Sequence, residues 1–321
     1  MSIPRVPYDP ELRAALAWFK TELESEPLIP STIESFRERF RTTNDPIEVS
    51  IGDLPVAWED HVIPGPRGDI EITVLRPADP LPSAPGVYAI HGGGMILGSR
   101  FGDTENLIEL VLEFGAVCVT VEYRLAPEHP HPAPLDDCYA GLLWMTEHAR
   151  ELGIDPERII LRGGSAGGGL AAACALRARD EGGPRVAGQM LICPMIDDRN
   201  DTVSARQYDG IGLWDRSYNR TGWDALLGDA RGTDAVHPYA APARATDLSD
   251  LPPAFIEVGA AEVFRDEDVA YATALWAAGT QAELHVWAGA FHGFSGVSPE
   301  VPVSRAAKAV RRSWVARIFG A

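Results

Sequence analysis

The chain has 321 residues, 45% of them hydrophobic, which suits one large α/β domain or a core domain carrying a small accessory one. A formal net charge of −18 argues against nucleic acid or an anionic membrane surface as a partner. The longest apolar runs fall far short of a membrane span and no basic-then-apolar signal opens the chain, so a cytoplasmic protein is expected.

Residues 1–50 are expected to be helical. Leu12, Leu16, Phe19 and Leu23 place an apolar stripe on one helical face, and Ile33, Phe36 and Phe40 repeat it on a second helix. Pro27 and Pro30 separate the two, and Ser31 is the expected cap of the second. Strand and helix patterns then alternate. Residues 57–63 and 70–76 read as a strand pair around the turn Pro64-Gly65-Pro66-Arg67-Gly68. Further strands are expected at 86–90, 116–123, 158–162, 189–193, 254–259 and 282–288, and helices at 135–152, 166–180, 266–278 and 303–319. The alternation calls for an α/β protein with an eight-stranded, mostly parallel sheet flanked by helices, in the count and order of the α/β-hydrolase fold. Residues 197–250 break it. They are polar and too long for a plain loop, so an insertion is expected there, packing with the N-terminal helices as a cap. That leaves 1–50 as an N-terminal helical cap and 51–321 as the catalytic domain. Trp18, Phe19, Trp214 and Trp223 would either wall a pocket beneath the cap or staple it to the core.

Ser165 lies in Arg162-Gly163-Gly164-Ser165-Ala166-Gly167-Gly168-Gly169, after a strand pattern and before an alanine-rich helix pattern. This is the setting of a nucleophile elbow, G-x-S-x-G. A serine hydroxyl is a poor nucleophile at neutral pH and needs a base for its proton and donors for the oxyanion. His91-Gly92-Gly93-Gly94, just past the third strand, offers backbone N–H groups with no Cβ in the way. His91 itself is expected to anchor that loop. Phe291-His292-Gly293-Phe294 follows the eighth strand and makes His292 the candidate base, whereas His129, His131, His237 and His285 fit the order of this fold less well. Glu262 is the first carboxylate past the seventh strand and the candidate acid; Asp266, the expected N-cap of the next helix, is the runner-up. Cys118, Cys138, Cys174 and Cys193 show no metal-ligand spacing and are expected to be reduced and mostly buried, with no zinc or disulfide framework.

Together with Tyr123-Arg124-Leu125-Ala126-Pro127-Glu128-His129-Pro130, these motifs resemble the bacterial hormone-sensitive-lipase-like esterases over residues 55–321. The resemblance implies a cap-covered α/β-hydrolase that cleaves short- to medium-chain carboxylic esters without metal or cofactor. It makes Ser165 the nucleophile, His292 the base and Gly93, Gly94 and Ala166 the oxyanion hole, and it is compatible with a homodimer, for which the last strand and the C-terminal helix, with Trp314 and Phe319, are the candidate contact surface. Arg124 and Glu128 are expected to brace loops. The chain departs from the family pattern in having Glu262 where Asp is usual, Gly164 where an acidic residue or threonine often precedes the serine, and Met95 where an aromatic often follows the glycines. Lactone, carbamate or aryl-amide hydrolysis on the same triad stays open. Plant gibberellin receptors resemble this family but lose the triad histidine; His292 is present here, which favours hydrolysis over ligand binding alone.

Overall fold

Eight strands form one sheet: β1 (Val56–Gly65), β2 (Gly68–Pro77), β3 (Ala84–Ile90), β4 (Val117–Val121), β5 (Ile154–Gly164), β6 (Gly188–Ile192), β7 (Ala254–Gly259) and β8 (Ala282–Trp287). Their spatial order is β1-β2-β4-β3-β5-β6-β7-β8. β2 pairs antiparallel with both β1 and β4, and every other pairing is parallel. This computed structural model describes the backbone of residues 3–23, 26–43 and 46–320, and the side chains of these except 19–23 and 40–43.

The side-chain alternation of a strand builds two cores, one on each face of the sheet. Tyr88, Ile90, Ile159 and Leu161 face one cluster, which α5 (Ala133–Glu147), α6 (Ala166–Glu181) and α9 (Arg265–Ala277) cover. Val87, Ala89, Ile160 and Met190 face the other, covered by α3 (Ile47–Ile51), α4 (Thr104–Phe114) and α11 (Pro302–Phe319). β3 is buried at every residue, as a strand sandwiched between helical layers must be. Among the described residues no helix is long and apolar enough to cross a membrane.

Several elements depart from expectation. Helix α4 adds a crossover between β3 and β4. It ends at Gly115, whose left-handed backbone (φ 63°) closes the helix through its N–H to the Val111 carbonyl. Trp314 and Phe319 do not form a contact surface. They turn inward, Trp314 beside Phe255 and Phe319 against Phe114, and both are buried in the monomer's own core. Ser31 does not cap α2 (Ile33–Thr43). It sits inside a 3-10 turn at Pro30–Thr32, and the Thr32 hydroxyl accepts the Ile29 N–H instead.

The first helix, α1 (Pro10–Leu23), buries Leu12 and Leu16 against Ala290, Phe291 and Phe294, so it lies on the loop that carries His292. The stretch 197–250 holds α7 (Val203–Gln207) and α8 (Arg216–Leu227). Tyr208 donates to the Val6 carbonyl, Thr221 donates to the Leu28 carbonyl, and the Tyr218 ring meets the Phe36 ring edge-on at 6.0 Å. This stretch and the N-terminal segment therefore touch directly.

Candidate active site

The turn between β5 and α6 places Ser165 at φ 54°, ψ −121°, a conformation that a non-glycine residue adopts only at a cost of roughly 1–3 kcal/mol. Its own backbone bonds hold it there. The Ser165 N–H donates to the Ile192 carbonyl (2.8 Å), and the Ser165 carbonyl accepts from Gly169 and Met195 (3.1 and 2.9 Å). The flanking glycines are steric requirements. A Cβ at Gly163 would lie 2.1 Å from the Gly167 carbonyl oxygen, and one at Gly167 would lie 2.0 Å from that of Ile90. At Gly164 a Cβ would meet nothing within 4 Å, so the space next to the serine is open there.

Three side chains from three loops converge behind this turn. His292 Nε2 is 3.0 Å from Ser165 Oγ, and His292 Nδ1 is 2.6 Å from Glu262 Oε2. The other carboxylate oxygen of Glu262 accepts the Gly259 N–H at 2.8 Å. A carboxylate only accepts, so a neutral imidazole bonded this way carries its proton on Nδ1 and presents a bare Nε2 to the serine. Phe264 packs edge-on against the His292 ring at 5.1 Å. Glu262 is 2% exposed and His292 7% exposed, so the hydrogen bond between them is shielded from water. Asp266 is elsewhere. It lies inside the first turn of α9, whose N-cap is Phe264, and it accepts the Ser204 N–H and the Arg265 guanidinium, each at 2.8 Å. Burial, the largest single effect, pushes its carboxyl up, but those bonds and the Arg265 charge together hold it below the usual range.

The glycine loop packs against the serine turn: a Cβ on Gly92 would be 3.4 Å from the Ser165 Cβ. The carbonyls of His91 and Gly93 are taken by the protein. The Tyr123 hydroxyl donates to the His91 carbonyl (3.0 Å), and Ile96 and Leu97 N–H groups donate to the Gly93 carbonyl (3.1 and 2.8 Å). The Ala126 N–H donates to the Met95 carbonyl at 2.9 Å. Ala166 is the first residue of α6, so its N–H has no acceptor inside the helix. Those of Gly93 and Gly94 belong to a loop with left-handed backbone (φ 114° and 63°). His91 stacks on Tyr123 at 4.1 Å, and its Nδ1 donates to the Gly92 carbonyl at 2.8 Å. Burial pushes its pKa down to about 4, against a smaller opposing effect of that bond. It anchors the loop as a neutral ring.

The aromatic candidates divide. Trp214 walls the loop: a Cβ on Gly94 would be 2.3 Å from its ring. Trp223 is fully buried core, Trp18 is exposed, and the side chain of Phe19 lies outside the described residues. Met95 is buried and serves packing. Arg124 grips Asp137 through two bonds of 2.7 Å, the expected brace, and Glu128 binds Arg37 of α2. Neither Arg37 nor Cys193 stood out in the sequence, since their partners are distant in the chain. Cys193 follows β6, and its thiol, Glu262 and His292 bring ligand atoms within 4.8 Å of one another. Linear spacing hid this donor set. A soft divalent ion could use it only in competition with the Glu262–His292 bond, and burial pushes the thiol pKa up.

A family profile described as alpha/beta hydrolase fold matches residues 87–296. An esterase of Mycobacterium tuberculosis, LipI, is 35% identical over 305 residues, covering 90% of this chain and 88% of its own. The carboxylesterase NlhH of the same organism is 34% identical over 313 residues, covering 94% of this chain and 93% of its own. Among solved structures, a bacterial heroin esterase superposes with a TM-score of 0.89 at 36% identity, covering 97% of this chain and 98% of the other.

Proposed function

The chain belongs to the α/β-hydrolase family, on its hormone-sensitive-lipase-like branch, and from that premise we propose that it is a carboxylic ester hydrolase working through an acyl-enzyme on Ser165. The observation that carries the reading is the unbroken relay of Ser165 Oγ to His292 Nε2 at 3.0 Å and His292 Nδ1 to Glu262 Oε2 at 2.6 Å. His292 takes the serine proton as Oγ attacks the ester carbonyl. Backbone N–H groups of Gly93, Gly94 and Ala166 receive the oxyanion, each such donor stabilising the transition state by roughly 3 kcal/mol. His292 then protonates the leaving alcohol and activates the water that frees the acid. Glu262 holds the tautomer and stabilises the imidazolium. Short- to medium-chain esters are the proposed substrates.

The N-terminal segment 1–50 and the stretch 197–250 form the cap on this reading, supported by the Tyr208–Val6 and Thr221–Leu28 bonds. Four free cysteines suit a reducing, cytoplasmic setting. A homodimer is proposed with it, through β8, which ends the sheet and has no strand paired on its outer side among the described residues.

A panel of p-nitrophenyl esters from acetate to laurate tests the activity. Wild type should turn over the shorter members, and Ser165→Ala should lose several orders of magnitude in kcat, because the triad acts as a unit. Hydrolysis unchanged in Ser165→Ala would refute the assignment.

A further inference from the structure

Arg37 reaches from the N-terminal helix α2 to the segment that continues the glycine loop and to the Ala126–Glu128 loop bonded to it, and its three guanidinium nitrogens each have a defined partner. Nε donates to the Ile96 carbonyl at 2.8 Å, two residues past the last glycine of the 91–94 loop. Nη2 donates to the Ala126 carbonyl at 2.8 Å, and Ala126 in turn donates its N–H to the Met95 carbonyl at 2.9 Å. Glu128 closes the fork from outside, with both carboxylate oxygens at 2.8 Å from Nη1 and Nη2. Glu34, one turn earlier on α2, adds a longer contact at 3.4 Å. The Arg37 side chain is 13% exposed, so its two bonds to carbonyl oxygens are partly shielded from water, whereas Glu128 (54% exposed) and Glu34 (69% exposed) meet it from the surface side. The opposite wall is aromatic. Trp214 presses on Gly94, Tyr218 meets Trp214 edge-on at 5.9 Å, and Phe36, the residue before Arg37, meets Tyr218 edge-on at 6.0 Å.

We propose that Arg37 is a positioning residue for the oxyanion hole, setting the height of the Gly93–Gly94 backbone above Ser165 from a helix outside the catalytic core. A planar fork bonded to two carbonyls at fixed angles specifies a position, where an ammonium supplies only charge. Ile96 and Met95 continue the glycine backbone directly, and Ile96 and Leu97 return N–H bonds to the Gly93 carbonyl, so a displacement at Ile96 is passed to Gly93 through one turn. Displacements near 1 Å at a reacting centre are enough for large rate losses, about 100-fold. Glu128 thereby acquires a role beyond bracing, because it holds the guanidinium in the orientation that meets the two carbonyls. The proposal rests on the oxyanion role given above to Gly93, Gly94 and Ala166.

The test compares wild type, Arg37→Lys, Arg37→Met and Glu128→Gln on p-nitrophenyl butyrate, with functional sites counted by fluorophosphonate labelling of Ser165. A boronic acid that forms a tetrahedral adduct on Ser165 reports oxyanion binding separately from substrate binding. Arg37→Met should lower kcat per labelled site by about 10- to 100-fold with KM within about threefold, since the lost interaction acts in the transition state. Boronate affinity should fall in parallel with kcat/KM. Arg37→Lys and Glu128→Gln should lie between, and Arg37→Lys decides the matter if Arg37→Met does not fold. The proposal is overturned if kcat per labelled site stays within twofold in both Arg37 variants while only the melting temperature falls. It is equally overturned if KM rises with boronate affinity unchanged. Inactivity of wild type on every ester would sink the hydrolase reading instead, whatever the Arg37 variants do.

Discussion

Glu262 shows how one methylene is accommodated at the acid position. Its carboxylate is anchored twice, by the Gly259 N–H at 2.8 Å and by His292 at 2.6 Å, so the longer side chain is not a looser one. Glu262→Gln keeps the shape but removes the charge and permits the wrong imidazole tautomer, and kcat should fall by about 10⁴-fold. Asp266→Asn should cost less than about tenfold, because Asp266 serves Ser204 and Arg265; its effect belongs to helix and loop stability, typically about 0.5–3 kcal/mol. Stopped-flow or steady-state rates on one ester separate the two, and equal losses would contradict the placement of the acid. Gly164 offers a complementary test. Its Cβ position is open, so Gly164→Thr should change stability by no more than about 0.5 kcal/mol while shifting the acyl-length optimum. A variant that melts far below wild type would show the space to be smaller than drawn.

The serine turn is an element whose glycines are set by backbone approach. In Gly167→Ala the new methyl would meet the Ile90 carbonyl at 2.0 Å, backbone against backbone, where no rotamer change relieves the clash. A loss of at least about 3 kcal/mol in urea denaturation is expected. Gly296→Ala is the matched control: it lies in α10 (Phe294–Val297), near His292, with nothing within 4 Å of the Cβ position, and should be neutral or gain up to about 1 kcal/mol. The contrast explains what was legible in the chain. The elbow, the glycine loop and the Phe291–Phe294 turn are local devices, each written in five or fewer consecutive residues, and all three appear where the motifs place them. The central strands β3, β4, β6 and β7 were found to within a few residues because burial on both faces writes continuous apolar runs. Features that depend on distant partners were not legible. Arg37 meets Glu128 across 91 positions, and Cys193 reaches Glu262 and His292 only through the fold. Trp314 reads as surface until Phe255 and the Gly188 backbone close over it.

At the scale of the whole molecule, buried ionisable groups give opposing dependences on pH. His91 has its pKa pushed down to about 4 by burial, from an ordinary value near 6.5. The unfolded chain therefore binds a proton that the folded chain refuses between those values, and stability falls as pH drops from 6.5 towards 4. The size at pH 5 is about 2 kcal/mol. Glu267 and Asp268 act the other way. Burial, joined by the charge of Asp197 at Glu267 and by that of Glu267 at Asp268, raises both well above the carboxylate range, so the folded state prefers them protonated and loses stability as pH rises above about 4.5. Across the mildly acid range the effects oppose one another, and wild-type stability should change less steeply than the two carboxylates alone would make it. Single substitutions expose the components. Compared with wild type, His91→Gln should be destabilised at pH 7.5 by the lost stacking on Tyr123, and that deficit should shrink by about 2 kcal/mol at pH 5. Asp268→Asn should do the reverse, gaining on wild type at pH 7.5 relative to pH 5. Urea denaturation midpoints and slopes at the two pH values measure both differences. A His91→Gln deficit that is constant with pH would mean that His91 titrates normally and that its burial is not what keeps it neutral in the oxyanion loop.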